Sequence, residues 1–179
     1  MGVSTVNLVV NGVKYTLEVS PSERLLDTLR WRLGLTSVKE GCGRGECGYC
    51  IVLVNGKPRH SCLALTATLN GAEVTTLEGL APEGSLHAIQ VALLEVRGIQ
   101  CGFCIPGLVM VLKALLDHNS SPSEEEIREW IASVLCRCGS YHYYVEAAKR
   151  AAEYLRSGRV YFSEREMREK LTVKAAFKR

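Results

Sequence analysis

The stretch GCGRGECGYCIVLVNGKPRHSC (Gly41–Cys62) decides the reading of this chain. It places Cys42, Cys47, Cys50 and Cys62 in the spacing C-x4-C-x2-C-x11-C, with four glycines among residues 41–48. Glycine lets a backbone wrap tightly and present N–H donors to an anionic centre. Ile51–Val54 (IVLV) then reads as a short buried strand. Asn55-Gly56 is a tight-turn signal that folds the chain back through KPRHSC and returns Cys62 to the loop.

The first three cysteines carry the plant-type spacing of a [2Fe–2S] site, and Cys62 closes it from the far strand. The same loop spells Gly43-x-Gly45-x-x-Gly48, the nominal dinucleotide fingerprint. That motif must follow a strand and open a helix. Here it contains a cysteine and runs into IVLV, so it is a chance match.

Upstream, Val6, Leu8 and Val10 alternate toward Asn11-Gly12, and Val13, Tyr15, Leu17 and Val19 alternate on the way back. This predicts a hairpin over 6–19. Ser22 is placed to cap a helix reaching about Leu33, with Gly34 as its stop. Val74–Leu77 reads as a further strand. Together these give a small α+β domain over residues 1–80.

After a linker at Ala81–Gly84 the hydrophobic period changes from 2 to 3.6. Leu86, Ile89, Leu93 and Val96 form one stripe, ended by Gly98. Pro106 suits a helix N1 position ahead of Leu108, Leu112, Leu115 and Leu116. Ser123 with Glu126 forms a capping box before Ile127, Ile131 and Val134. Val145, Ala148, Ala152 and Leu155 make a fourth helix, following Tyr143. Four amphipathic helices with short loops predict a helical bundle over residues 81–158.

This half carries the second cysteine set, Cys101, Cys104, Cys136 and Cys138, spaced C-x2-C-x31-C-x-C. Cys136 and Cys138 sit at i and i+2, on nearly opposite sides of any continuous helix. Both pairs therefore read as helix junctions, with two helix N-termini facing one anionic site and Arg137 available for added charge. Four thiolates also bind zinc, so the metal of this half stays open on spacing alone. His60, His87, His118 and His142 lack the paired Cys/His spacing of a Rieske centre and read as surface or hydrogen-bonding residues.

The chain has 179 residues, 47% hydrophobic and 23% charged, as for an ordinary globular protein. Eight cysteines without a secretion signal favour metal or cluster binding over disulfides. The N-terminal MGVSTVNLVVNG lacks a basic n-region and an apolar core, and reads as the start of a cytoplasmic protein. No run reaches the length of a membrane span. Net charge is +3, but seven Lys/Arg against three Glu put +4 on residues 159–179. The remaining −1 argues against nucleic-acid binding. Residues 159–179 read as a basic C-terminal tail, either solvated or docked on a partner.

The ordered motifs VKEGCGRGECGYCIVLVNGKPRHSC (38–62), TTLEGL (75–80), IQCGFCIPG (99–107), EIREWI (126–131) and LCRC (135–138) carry a family likeness over residues 5–155. The chain resembles the iron–sulfur subunit of the xanthine oxidase, aldehyde oxidoreductase and carbon monoxide dehydrogenase family of molybdenum hydroxylases. The resemblance implies a β-grasp ferredoxin domain and a four-helix bundle, each holding one [2Fe–2S] cluster. It implies a large molybdopterin-binding subunit and a medium FAD-binding subunit as partners, with electrons passing from molybdenum through the helical and then the ferredoxin cluster to flavin. It places Gln100 and Cys138 beside the pterin.

The chain departs from the family pattern at Gly139-Ser140, at Ile105 in place of Thr, and at Ser133-Val134. No cluster ligand is lost by these changes. No catalytic acid, base or nucleophile set is present, so substrate chemistry belongs to a partner. Aldehyde oxidation is the first expectation, on family frequency. Carbon monoxide or N-heterocycle oxidation, and a free-standing electron carrier, are the alternatives.

Overall fold

The computed structural model describes residues 2–176, with side chains through Lys170. Strands β1 (Ser4–Val10) and β2 (Val13–Val19) form the expected hairpin, paired from Ser4↔Val19 to Val10↔Val13. Its turn residues Asn11 and Gly12 have φ of 51° and 80°, the left-handed pair that a two-residue turn demands. β3 (Ile51–Val54) and β4 (Lys57–His60) make the second hairpin, and β5 (Glu73–Thr75) completes a mixed five-stranded sheet. The order is β2-β1-β5-β3-β4, with β1 and β5 parallel. Val6, Leu8, Val10, Val52, Val54 and Val74 turn inward onto Leu25, Leu26 and Leu29.

Leu25 and Leu26 lie on α1 (Leu25–Asp27), which is shorter than expected and widens at once into a π turn over Thr28–Arg32 that carries Leu29. Ser22 does not cap it. Its hydroxyl lies against that of Ser20, and Arg24 occupies the N-cap. Thr28 is buried, and its hydroxyl bonds Glu23 Oε1 at 2.7 Å and the Thr66 hydroxyl at 2.8 Å, tying the turn to the opposite wall. The closing bond runs from Leu33 N–H to Thr28 O.

Beyond the sheet come α2 (Ala88–Glu95), α3 (Ile105–His118), α4 (Glu124–Ile131) and α5 (Tyr141–Arg156). α2 packs on α3 and α5, α4 packs on α3 and α5, and α3 also lies on β3. Ile51 and Leu53 of β3 thus join the core of the helices, which runs through Leu108 and Leu112 to Ala148, beside the sheet's own core.

Several local expectations shift. Leu86 lies not in a helix but in β6 (Ser85–His87), and His87 caps α2 with Gln90 completing the box. Gly98 is not the left-handed stop of α2; Arg97 takes that conformation at φ 56°, while Gly98 leaves room for Tyr143. Pro106 is the second residue of α3. Ser123 accepts from Glu126 N–H at 3.1 Å, but the Glu126 carboxylate turns to Asn119, so only half the capping box forms. α5 starts two residues before Tyr143.

The chain after residue 80 also holds more than four helices. Within residues 159–179, β7 (Tyr161–Ser163) pairs with β6 and leads into α6 (Glu164–Ala176). Phe162 and Met167 bury against Ala88 and Val91 of α2. At the same contact, buried Glu95 receives Lys170 Nζ at 2.8 Å, Arg150 Nη1 at 3.1 Å and the Tyr154 hydroxyl at 2.9 Å. Burial pushes the Glu95 carboxyl up, yet these donors together hold it below the usual carboxylate value. Lys178 and Arg179 of the basic segment lie outside the described residues. Among the described residues no helix is long and apolar enough to cross a membrane.

Candidate metal centres

The loop between the π turn and β3 is shaped around one sulfur. Gly43, Gly45 and Gly48 all have positive φ, between 66° and 79°. The resulting curl aims the N–H groups of Arg44, Glu46 and Cys47 at Cys42 Sγ, at 3.5, 3.3 and 3.4 Å. The glycines of the nominal dinucleotide fingerprint therefore build a sulfur nest. The Arg44 N–H, with those of Cys47 and Glu46, draws the Cys42 thiol down to about 6. Burial pushes the Cys47 thiol up and the Cys62 thiol up to about 12.

The second set assembles where the sequence breaks its helices. Cys104 is the N-cap of α3, and Cys136-Arg137-Cys138 ends three residues before α5 begins. α4 ends at Ile131, so Cys136 and Cys138 stand on irregular chain, with Gly139 at φ 75° just after them. Cys101 and Cys138 are exposed, while Cys104 and Cys136 are buried. The Phe103 N–H lowers the Cys101 thiol, and burial raises Cys104 to about 11. At Cys136 burial raises the thiol, but hydrogen bonds from Tyr144 and the backbone outweigh it.

The junction is braced by polar side chains. Tyr141 accepts from Cys136 N–H at 2.7 Å. Gln100 Nε2 donates to the Ser140 hydroxyl at 2.9 Å and to Cys138 O at 3.3 Å. Ser140, a departure from the family pattern, thus anchors Gln100. Arg137 is exposed. The four histidines stand apart from both cysteine sets: His87 caps α2, His118 stacks on Trp130, His142 lies on Tyr143, and His60 lines a groove of about 370 Å³ with Trp130.

Backbone contact joins the two sites. Leu135 N–H donates to Cys47 O at 3.0 Å, placing the residue before Cys136 on a cysteine of the other set. A Cβ on Gly107 would fall 2.1 Å from Gly48 O, and one on Gly48 would fall 2.2 Å from Ser133 O. Tyr49 meets Phe103 edge-on, with centroids 5.2 Å apart.

Tyr144 was not foreseen. It is 2% exposed, and its hydroxyl lies 3.2 Å from Cys104 Sγ and 3.1 Å from Cys136 Sγ. The available signal was helical spacing. Tyr144 stands four residues before Ala148 and seven before Ala151, both fully buried.

An α+β chain with two four-cysteine sets joined by backbone contact has the form of an iron–sulfur electron-transfer protein. Residues 8–81 match the 2Fe-2S iron-sulfur cluster binding domain, and residues 76–149 match the [2Fe-2S] binding domain. The nicotinate dehydrogenase small FeS subunit of Eubacterium barkeri is 44% identical over 149 residues, 83% of this chain and 95% of that one. The quinoline 2-oxidoreductase structure from Pseudomonas putida superposes with TM-score 0.83 at 36% identity, covering 88% of this chain and 99% of that one. The aldehyde oxidoreductase of Desulfovibrio desulfuricans gives TM-score 0.83 at 42% identity over 92% of this chain, which spans 18% of that longer one. The chain belongs to the iron–sulfur small-subunit family of the molybdenum hydroxylases related to xanthine oxidase and aldehyde oxidoreductase. Its role is electron transfer within an oxidoreductase complex, with substrate catalysis on other subunits.

Proposed function

We propose that Cys42, Cys47, Cys50 and Cys62 hold one [2Fe–2S] cluster and Cys101, Cys104, Cys136 and Cys138 a second, and that the chain relays electrons between a large molybdopterin subunit and a medium FAD subunit. The observation that carries this is the donor geometry at the sulfurs: three backbone N–H groups aim at Cys42 Sγ, and the Tyr144 hydroxyl lies within 3.2 Å of both Cys104 Sγ and Cys136 Sγ. When bound, such a cluster supplies one-electron oxidation and reduction. The chain's own part is to fix the thiolates, point N–H donors at them, exclude water from Cys50, Cys62, Cys104 and Cys136, and hold the two sites at constant separation.

In this reading the chain divides near residue 80, and α2–α5 form a four-helix bundle extended by β7 and α6. The exposed Cys101–Cys138 edge, with Gln100 beside it, faces the pterin. The complex is cytoplasmic. Aldehyde oxidation by the assembled enzyme is supported by the aldehyde oxidoreductase likeness. N-heterocycle hydroxylation is the second reading, favoured by the nicotinate dehydrogenase subunit likeness.

The test is metal analysis and EPR of the dithionite-reduced chain, followed by isolation of the complex. Iron near four per chain and two distinct signals are expected. Cys47→Ser removes one signal and Cys138→Ser the other; loss of the same signal from both refutes the ligand sets, and zinc in a colourless sample refutes the clusters. Turnover of an aldehyde or of nicotinate by the co-purified complex separates the two substrate readings.

A further inference from the structure

We propose that the Tyr144 hydroxyl donates its hydrogen bond to the buried thiolate pair Cys104–Cys136 and thereby raises the reduction potential of the helical-domain site. This rests on the reading of Cys101, Cys104, Cys136 and Cys138 as cluster ligands. Tyr144 lies in the first turn of α5, and its ring is fixed by the surrounding helices and by edge contact with Tyr141 at 6.0 Å. The hydroxyl sits almost midway between two sulfurs, 3.2 and 3.1 Å away. A phenol has one proton to donate, and a buried hydroxyl without a partner costs free energy. Thiolate sulfur is the acceptor this position offers.

The two sites differ in how they collect donors. At Cys42 three donors are main-chain N–H groups of the glycine loop. At the helical site a side chain reaches both buried sulfurs, so one residue type sets the strength of the contact. Reduction adds negative charge to the site, and a donor aimed at its sulfurs stabilises the reduced form more than the oxidised form. Tyr144 is thus a positioning and tuning residue, acting through Cys104 and Cys136.

The test uses the full chain with both sites loaded. In an EPR-monitored redox titration, Tyr144→Phe lowers the midpoint of the helical-site signal by about tenfold in reduced-to-oxidised ratio, about 59 mV for one electron. The ferredoxin-site midpoint stays fixed. One exchangeable-proton coupling disappears from the helical-site signal. A 3-fluorotyrosine at position 144, a stronger donor of nearly the same shape, moves the midpoint the other way. An unchanged midpoint in Tyr144→Phe overturns the proposal, as do equal shifts at both sites or shifts of one sign for Phe and fluorotyrosine. Cys104→Ser identifies which signal belongs to the helical site. If it removes neither signal, the ligand reading has failed; if it removes one whose midpoint Tyr144→Phe leaves in place, only the Tyr144 proposal has failed.

Discussion

Gly107→Ala tests whether the two cysteine sites are held by direct backbone contact. Gly107 is the third residue of α3, and an added Cβ would lie 2.1 Å from Gly48 O, 3.1 Å from Gly48 C and 3.2 Å from Tyr49 Cα. All three are main-chain atoms of the segment joining Cys47 to Cys50, so no rotamer change relieves the clash. Restoring ordinary contact requires the start of α3 to retreat by about 1.3 Å from that loop. Two effects oppose each other. Ala in place of Gly inside a helix gains about 1 kcal/mol. Overpacking a close contact costs about 1–3 kcal/mol, and straining the Leu135–Cys47 bond adds up to about 1 kcal/mol. The clash wins by roughly 1–2 kcal/mol, which lowers Tm by about 2–8 °C for a chain of this size. The movement also drags Cys104, the N-cap of α3, and weakens the magnetic interaction between the two reduced sites. Thermal bleaching of the visible absorption and the EPR line shape of the fully reduced protein measure both effects. An unchanged or higher Tm with an unchanged line shape would show that helix propensity dominates and that the contact yields freely.

His87 carries a pH signature. Its imidazole is 2% exposed, and its Nδ1 accepts from Ile89 N–H at 3.3 Å. Burial first, then Lys113, hold its pKa at about 4, against an opposing pull from Asp117. The unfolded chain takes up this proton near 6.5 and the folded chain only near 4, so stability is lost as pH falls through that window and is unaffected above it. The loss approaches about 3 kcal/mol. His87→Asn keeps a capping acceptor without the titration, so its Tm changes less between pH 7 and 5 than that of the wild type; equal slopes would refute the assignment. Phe162, 0% exposed, anchors β7 and α6 to α2. Phe162→Ala is expected to cost about 3–5 kcal/mol locally and to open residues 159–176 to limited proteolysis while both EPR signals survive. Loss of either signal would show that the C-terminal extension supports the metal centres as well.

What the sequence disclosed was governed by short-range signals. Asn11-Gly12 and Asn55-Gly56 each specify a two-residue turn, and both hairpins form where those pairs stand. The glycines around Cys42 likewise dictate a curl that N–H groups line. Signals that depended on distant partners were lost. β6 and β7 are three residues each, lie far apart in sequence, and have no alternation long enough to detect. α6 is dominated by charged residues, and its anchor points, Met167 and Lys170, gain meaning only beside Phe162 and buried Glu95 on other elements. The helix expected from Ser22 to about Leu33 starts only at Leu25 and turns into a π turn, where the Thr28 hydroxyl meets Thr66, 38 residues on.

The burial of the cysteines bears on how such a chain works between two partners. A site buried on all sides would be insulated from both, and a site open on all sides would lose the low-dielectric surroundings that tune it. The helical site takes neither extreme. Cys101 and Cys138 lie at the surface, while Cys104 and Cys136 are buried against the Tyr144 hydroxyl. In the ferredoxin half only Cys42 is partly open. Between the halves lies the Leu135–Cys47 hydrogen bond, with Gly48 and Gly107 in contact beside it. The i, i+2 spacing of Cys136 and Cys138 is what gives the helical site its two sides. With α4 ended at Ile131 and the chain irregular up to Ser140, Cys136 is buried and Cys138 exposed. A mid-helix pair at i and i+3 or i+4 would share one face and could not divide the site in this way.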